Sequence, residues 1–232
     1  MCSIILSIEP GRVLVAANRD EMLARPWRAP ARHWPAQPYI LAGLDVLAGG
    51  TWLGVNDAGV MAAVLNRTGT LGPASGKKSR GALPLIALAA ASAADAASRI
   101  AALDAAEYRS FNMVVADRHG GLFIRGMQSG RPRVMELSAG FTMVTAHDAN
   151  DMTAPRIARH LPRFQAAARP DPSSGDWASW QTLLADAAPP PESALFIAPQ
   201  NGFGTVCSSL LSLQPEGTDW WFAPAPGDYI KV

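Results

Sequence analysis

The sequence predicts an α+β protein in which mainly antiparallel sheets are covered by helices. Three observations carry that prediction. Apolar, β-branched runs come in pairs around short turns that contain Gly, Pro or Asn, the pattern of hairpins. Segments rich in alanine and leucine stand in blocks between groups of strands, as helices do when they cover an antiparallel sheet. Finally, 232 residues of which 49% are hydrophobic and 17% charged suffice for a well-packed globule, expected as a single domain over 1–232.

The elements follow in chain order. SIILSI and VLVAA flank the turn EPGR, so the first twenty residues form a hairpin. Antiparallel pairing then brings Cys2, at the start of the first strand, beside Asn18, Arg19, Asp20 and Glu21 at the end of the second. The segment from Arg25 to Pro38 contains four prolines and two tryptophans, which reads as an irregular loop able to wall a pocket. TWLGV and GVMAAVLN form a second hairpin around NDAG, ending at Asn66. From Ser79 the chain turns alanine-rich, SRGALPLIALAAASAADAASRIAAL, which predicts one or two helices with small packing faces. FNMVVADRHGGLFIRG is a third hairpin, and RVMELSAGFTMV holds two short strands. TAPRIARHLPRFQAAARP predicts a helix with Thr153 as N-cap and Pro155 in the first turn, bent or interrupted at Pro162. A short helix follows DPSSGDWASW, and FGTVCSSLLSLQ and DWWFAP close the chain as strands, for about ten strands in all.

Composition excludes several function classes. Twenty basic residues against nineteen acidic leave a formal charge of +1, so nothing marks a nucleic-acid partner. The cysteines, Cys2 and Cys207, are two and far apart, which is no disulfide scaffold and fits a reducing cytoplasm. The longest apolar stretch, ALPLIALAAAS, is interrupted by Pro84 and too short to span a bilayer. HDAND lacks the spacing of a metal or calcium site, GTLGPASGKKS lacks that of a phosphate-binding loop, and no CxxCH is present for covalent haem. His33, His119 and His160 fall in a Pro-rich loop, a hairpin turn and a helix, and read as surface or packing residues.

Chemistry concentrates at the N-terminus. A thiol at position 2 becomes the first residue if Met1 is trimmed, and the freed α-amine, with an ordinary pKa of about 7.7 to 8.0, can take the thiol proton within the same residue. The alternative is a buried small hydrophobe at the start of a strand. NRDE, directly after VLVAA, places an amide, a guanidinium and two carboxylates at one strand end, either as a polar site around that thiol or as a solvated turn with its own ion pair.

Cys2, AANRDEM, GGTWLGVNDAGVMAAVLNR, SRG at Ser79 to Gly81, FNMVV and GTVCSSLL, in this order, resemble the NRDE family, also called the transport and Golgi organisation family. That family is in turn similar to the N-terminal nucleophile hydrolases of the choloylglycine hydrolase and penicillin V acylase group. The resemblance implies a four-layer αββα sandwich and cleavage of the amide C–N bond of a small acylated substrate. It makes Cys2 the nucleophile, Arg19 and Asp20 its orienting pair, and Asn66 an oxyanion donor. His147 stands where the acylases place an asparagine, and a catalytic arginine near the acylase C-terminus has no counterpart around GTVCSSLL. Asn18, Glu21, Trp27 and Trp34 are expected at the substrate, with no metal. The competing expectation is a binding or trafficking protein whose pocket holds a hydrophobic ligand such as haem or an acyl lipid, with Trp27 and Trp34 as the apolar wall.

Overall fold

A computed structural model describes residues 2–224 and 229–232; trimming of Met1 lies outside the described residues. The first hairpin is β1 (Ser3–Glu9) and β2 (Arg12–Met22), in register from Ser3 opposite Asn18 to Glu9 opposite Arg12. Gly11 closes it at φ +74, a conformation that glycine adopts without steric cost. The prolines of the next segment do not keep it irregular: β3 (Trp27–Ala31) pairs with β4 (Ile40–Asp45) across a register shift. Pro30 is accommodated there because β3 is an edge strand, where one lost ladder bond is tolerated.

Next come β5 (Leu53–Asn56), β6 (Met61–Asn66), β7 (Phe111–Asp117), β8 (Gly120–Gly126) and β9 (Arg133–Glu136), completing with β3 and β4 a seven-stranded antiparallel sheet in sequential order. The second sheet is assembled from both ends of the chain. β1 and β2 are flanked by β10 (Gly140–Val144) on one side and by β11 (Phe203–Gln214), β12 (Gly217–Ala223) and β13 (Ile230–Lys231) on the other. The strands thus number thirteen among the described residues rather than about ten, and β9 and β10, adjacent in sequence, belong to different sheets.

Alternation along the strands sorts side chains into three apolar layers. Ile4, Leu6, Val13 and Val15 of one sheet meet Leu53, Met61, Leu65, Val114 and Phe123 of the other between the sheets. The outer face of the seven-stranded sheet is covered by α1 (Ala82–Ala87) and α2 (Ala93–Ala101). The outer face of the six-stranded sheet is covered by α3 (Pro155–Ala166) and α4 (Ala178–Leu184). The result is an αββα sandwich. No helix among the described residues is long and apolar enough to cross a membrane.

α3 begins at Pro155 as the sequence suggests, and departs from the sequence reading at its N-cap and at Pro162. Its N-cap is Ala154, without a side-chain cap, because the Thr153 hydroxyl is spent on Asp151 Oδ1 at 2.6 Å. Pro162 sits inside the helix without ending it. An interior proline costs about 3 kcal/mol, while burying Ile157, Leu161 and Phe164 against the sheet stabilises by about 1.5 to 3 kcal/mol each, so packing wins.

His160 in the same helix is fully buried and neutral: Nε2 meets the Ser193 carbonyl at 2.8 Å and Nδ1 faces Arg163 Nη1 at 3.2 Å. Burial pushes its pKa down to about 4. The folded value lies below the ordinary value of about 6.5, so stability is full above that pH and is lost as pH falls toward 4, by about 3 kcal/mol. Thermal melts of the wild type and His160→Gln should show this contribution between pH 7 and 4.5 in the wild type only; equal acid sensitivity in both would assign it to other groups.

Candidate active site

The hairpin register delivers what β1 and β2 imply. Cys2 Sγ lies 3.4 Å from the backbone nitrogen of Asp20, which donates to it, and 3.6 Å from the Asp20 carbonyl oxygen. β11 pairs with the other edge of β2, setting Thr205 opposite Asp20 and Cys207 opposite Arg19, with a bulge between Thr205 and Cys207. The bulge turns the Thr205 hydroxyl to donate to Asp20 Oδ1 at 2.6 Å. Arg156 of α3 donates to Asp20 Oδ2 at 3.1 Å and to the Ser3 hydroxyl at 3.0 Å. Asp20 is therefore a fully buried carboxylate neutralised by an arginine from 136 residues away, a partner that no local motif announces.

Arg19 and Glu21 point to the opposite face of β2, toward the seven-stranded sheet. The Arg19 guanidinium lies over the Trp52 ring at 4.2 Å from its centroid, a cation–π contact. Its Nη2 stands 3.7 Å from both Glu21 and Asp45, while Nη1 is buried without a hydrogen-bond acceptor among the described residues. Arg25 closes the cluster, with Nε 2.8 Å from Asp45.

These groups form one wall of a cavity of about 380 Å³ that Cys2 also lines. The facing wall comes from Val64 and Asn66 of β6, from Thr51 and Trp52 just before β5, and from the segment carrying Lys77, Lys78 and Arg80. Gly50 makes that wall possible: a Cβ there would sit 2.4 Å from the Gly81 carbonyl, and the close approach lets Thr51 N donate to Gly81 O at 2.9 Å. Arg80 ties the segment down through Thr70, the Ser110 carbonyl and the Gly72 carbonyl, and Arg109 holds the carbonyls of Gly69 and Leu71. Burial, with Arg109 adding repulsion, pushes the pKa of Arg80 down to about 10, so it stays charged at neutral pH. The cavity thus joins apolar surface from Leu47, Trp52 and Val64 to the cations Lys77 and Arg80, which neutral carbonyls hold in place.

The residues expected from sequence divide into two groups. Cys2, Arg19, Asp20, Glu21 and Asn66 all line the cavity. Asn18 does not act there, because its amide donates to the Leu184 and Leu195 carbonyls and accepts from the Ser208 hydroxyl, tying β2 to the covering helix layer. Trp27 packs one layer deeper, edge-on to Trp52 and Phe222, and Trp34 lies on the helix-covered side, donating to Gly49 O. Of the three tryptophans, Trp52 lines the cavity. His147 faces Asp151 at 3.6 Å and is 39% exposed, outside the lining of the cavity, while Asn112 donates to its carbonyl. The lining contains no histidine among the described residues, and it sets charged groups beside the apolar surface of Leu47, Trp52 and Val64.

Arg19 pulls the Cys2 pKa down without setting it. Burial pushes the thiol up and Asp20 adds to the rise, outweighing the downward pull of the Asp20 hydrogen bond and of Arg19. Alkylation of Cys2 should therefore accelerate with pH across the whole neutral range, since the thiolate fraction grows tenfold per unit below the pKa. Arg19→Met should slow it severalfold at pH 7 and little at high pH, where the thiol ionises regardless. Equal slowing at both values would make Arg19 a packing residue only.

The fold agrees with that of solved N-terminal nucleophile hydrolases. The chain superposes with a TM-score of 0.60 on a Caenorhabditis elegans ortholog of N-acylethanolamine-hydrolyzing acid amidase, at 13% identity over 91% of this chain and 92% of that one. Penicillin V acylase from Agrobacterium tumefaciens gives 0.55 at 13% identity, over 100% and 86%. Conjugated bile acid hydrolase from Clostridium perfringens, as its C2A mutant, gives 0.56 at 10% identity, over 100% and 92%. At such identities the likeness defines the class of fold, an N-terminal nucleophile hydrolase-like sandwich. The family is more specific: the family model of Transport and Golgi organisation 2 matches residues 1–222, and the chain belongs to that family. Transport and Golgi organization protein 2 homologs of Bos taurus and Homo sapiens are 36% and 33% identical to it over 129 residues. That stretch is 50% of this chain and 45% of each homolog, so the match spans about half of the relatives' length.

Proposed function

We infer that the protein is a cysteine hydrolase that cleaves the amide C–N bond of a small acylated substrate. The observation that carries this is the Cys2 sulfur, held by the Asp20 N–H at 3.4 Å at the wall of a cavity large enough for a small molecule. After removal of Met1, the Cys2 thiol gives its proton to its own α-amine and Sγ attacks the substrate carbonyl carbon. Asn66, whose side chain makes no hydrogen bond among the described residues and faces the cavity, donates to the oxyanion that forms. The C–N bond breaks, the α-amine returns the proton to the departing amine, and a thioester remains on Sγ. Water then hydrolyses the thioester, releasing a carboxylic acid and restoring the thiol.

The raised thiol pKa fits this scheme, because a proton acceptor within the same residue is what a reluctant thiol needs. Cys207 is the internal control: it is buried in β11, and burial pushes its thiol up as well. Intact-mass measurement and peptide mapping after a limiting dose of alkylator should find a chain that begins at Cys2 and is labelled there before Cys207. A retained Met1, or labelling of Cys207 first, would exclude the free-amine mechanism.

A further inference from the structure

We propose that the site selects acyl groups of acetyl size, through a second, apolar slot that opens behind Cys2. This rests on the hydrolase reading and adds the substrate class. The slot shares Cys2, Arg19, Trp52 and Val64 with the large cavity, and its remaining walls include Leu53, Ala63 and Leu65 of the seven-stranded sheet and Cys207 of the other. Ala63, Leu65, Leu53 and Cys207 are buried members of the apolar layer between the sheets.

A carbonyl carbon bonded to Sγ must send its two substituents in different directions. The large cavity carries Glu21, Asp45, Lys77 and Arg80 and suits a polar amine. The slot suits a hydrocarbon. Its free volume is about 20 Å³, room for roughly one water-sized or methyl-sized group. A longer chain has to displace Leu65 or Leu53 from a close-packed layer, which interiors resist. Amides that join an acetyl-sized acyl group to a polar amine are therefore the substrates the two spaces select.

The test uses p-nitrophenyl acetate, butyrate and octanoate with the full chain. In each, Sγ attacks the ester carbonyl, the C–O bond breaks, nitrophenolate leaves and a thioester forms on Cys2, which is weighed by intact mass and located by peptide mapping. Rates are normalised to those of free cysteine with the same esters. Acetate should acylate Cys2 at least about tenfold faster than octanoate, and Leu65→Ala, which lengthens the slot, should bring the ratio within about threefold. Octanoate reacting as fast as acetate in the wild type would overturn the slot, whether or not the variant folds, and so would an unchanged ratio in a folded Leu65→Ala. No adduct at Cys2 from any ester would overturn the hydrolase reading itself, and the slot with it. Ala63→Val narrows the same space from the neighbouring position; it should slow acetyl transfer about tenfold while leaving alkylation of Cys2 by iodoacetamide unchanged, and equal slowing of both would overturn the slot.

Discussion

Replacing Cys2 with alanine is expected to remove amide turnover by about 10⁴-fold or more, since the proposed covalent intermediate forms on its sulfur. The melting temperature should change little, because Cys2 only fringes the apolar layer between the sheets. Asn66→Ala should lower kcat by about 10² to 10³ with little change in KM, as the loss of one oxyanion donor does. In the background of Cys2→Ala the same substitution should have no further effect, because in the proposed mechanism the two residues serve one step. Turnover that survives in Cys2→Ala would assign the chemistry elsewhere. His147 supplies the contrast. Because it faces Asp151 outside the cavity, His147→Asn and His147→Ala should leave kcat and its pH profile intact and shift stability by no more than about 1 kcal/mol.

The largest effect on stability is expected at Asp20 and Arg156. The carboxylate has no exposed surface and the guanidinium almost none, with 3.1 Å between them. Arg156→Met leaves a buried carboxylate without that cation, a change that costs about 3 to 5 kcal/mol and lowers Tm by roughly 10 °C in a chain of this size. Pairing Asp20→Asn with Arg156→Met should recover 1 kcal/mol or more relative to the sum of the single changes, because neither charge is then stranded. Additive losses would show that the two groups act independently. Loss of the pair should also slow alkylation of Cys2, since the strand end that presents the Asp20 N–H to Sγ is held from below by this contact. If melting falls while alkylation is unchanged, the pair stabilises the fold without positioning the thiol.

The local half of the architecture is legible in the residues themselves. Period-two apolar runs around EPGR determine the first hairpin, and its antiparallel register alone brings Cys2 to Asn18, Arg19, Asp20 and Glu21. Hairpins of neighbouring segments likewise determine most of the seven-stranded sheet, whose strands follow in chain order. The family resemblance adds the four layers and Asn66, because its motifs run through both sheets. Local patterns fail where packing overrides them: proline at an edge strand leaves β3 intact, and Pro162 stays inside a helix whose apolar face is worth more than one missing hydrogen bond.

What tertiary structure alone decides is which side chains share the cavity. The insertion of β11 beside β2 joins residues nearly two hundred positions apart, and no periodicity encodes that pairing. Only this insertion sends Thr205 to Asp20, while α3 brings Arg156 to the same carboxylate. The choice among aromatic residues is of the same kind. Read along the chain, Trp27 and Trp34 are the plausible walls, yet it is Trp52, under the Arg19 guanidinium, that lines the cavity, with Trp27 beneath it and Trp34 on the far side of its sheet. A strand pattern states which residues alternate, whereas the face that meets a cavity is set by which sheet lies opposite, and that is a property of the packed layers.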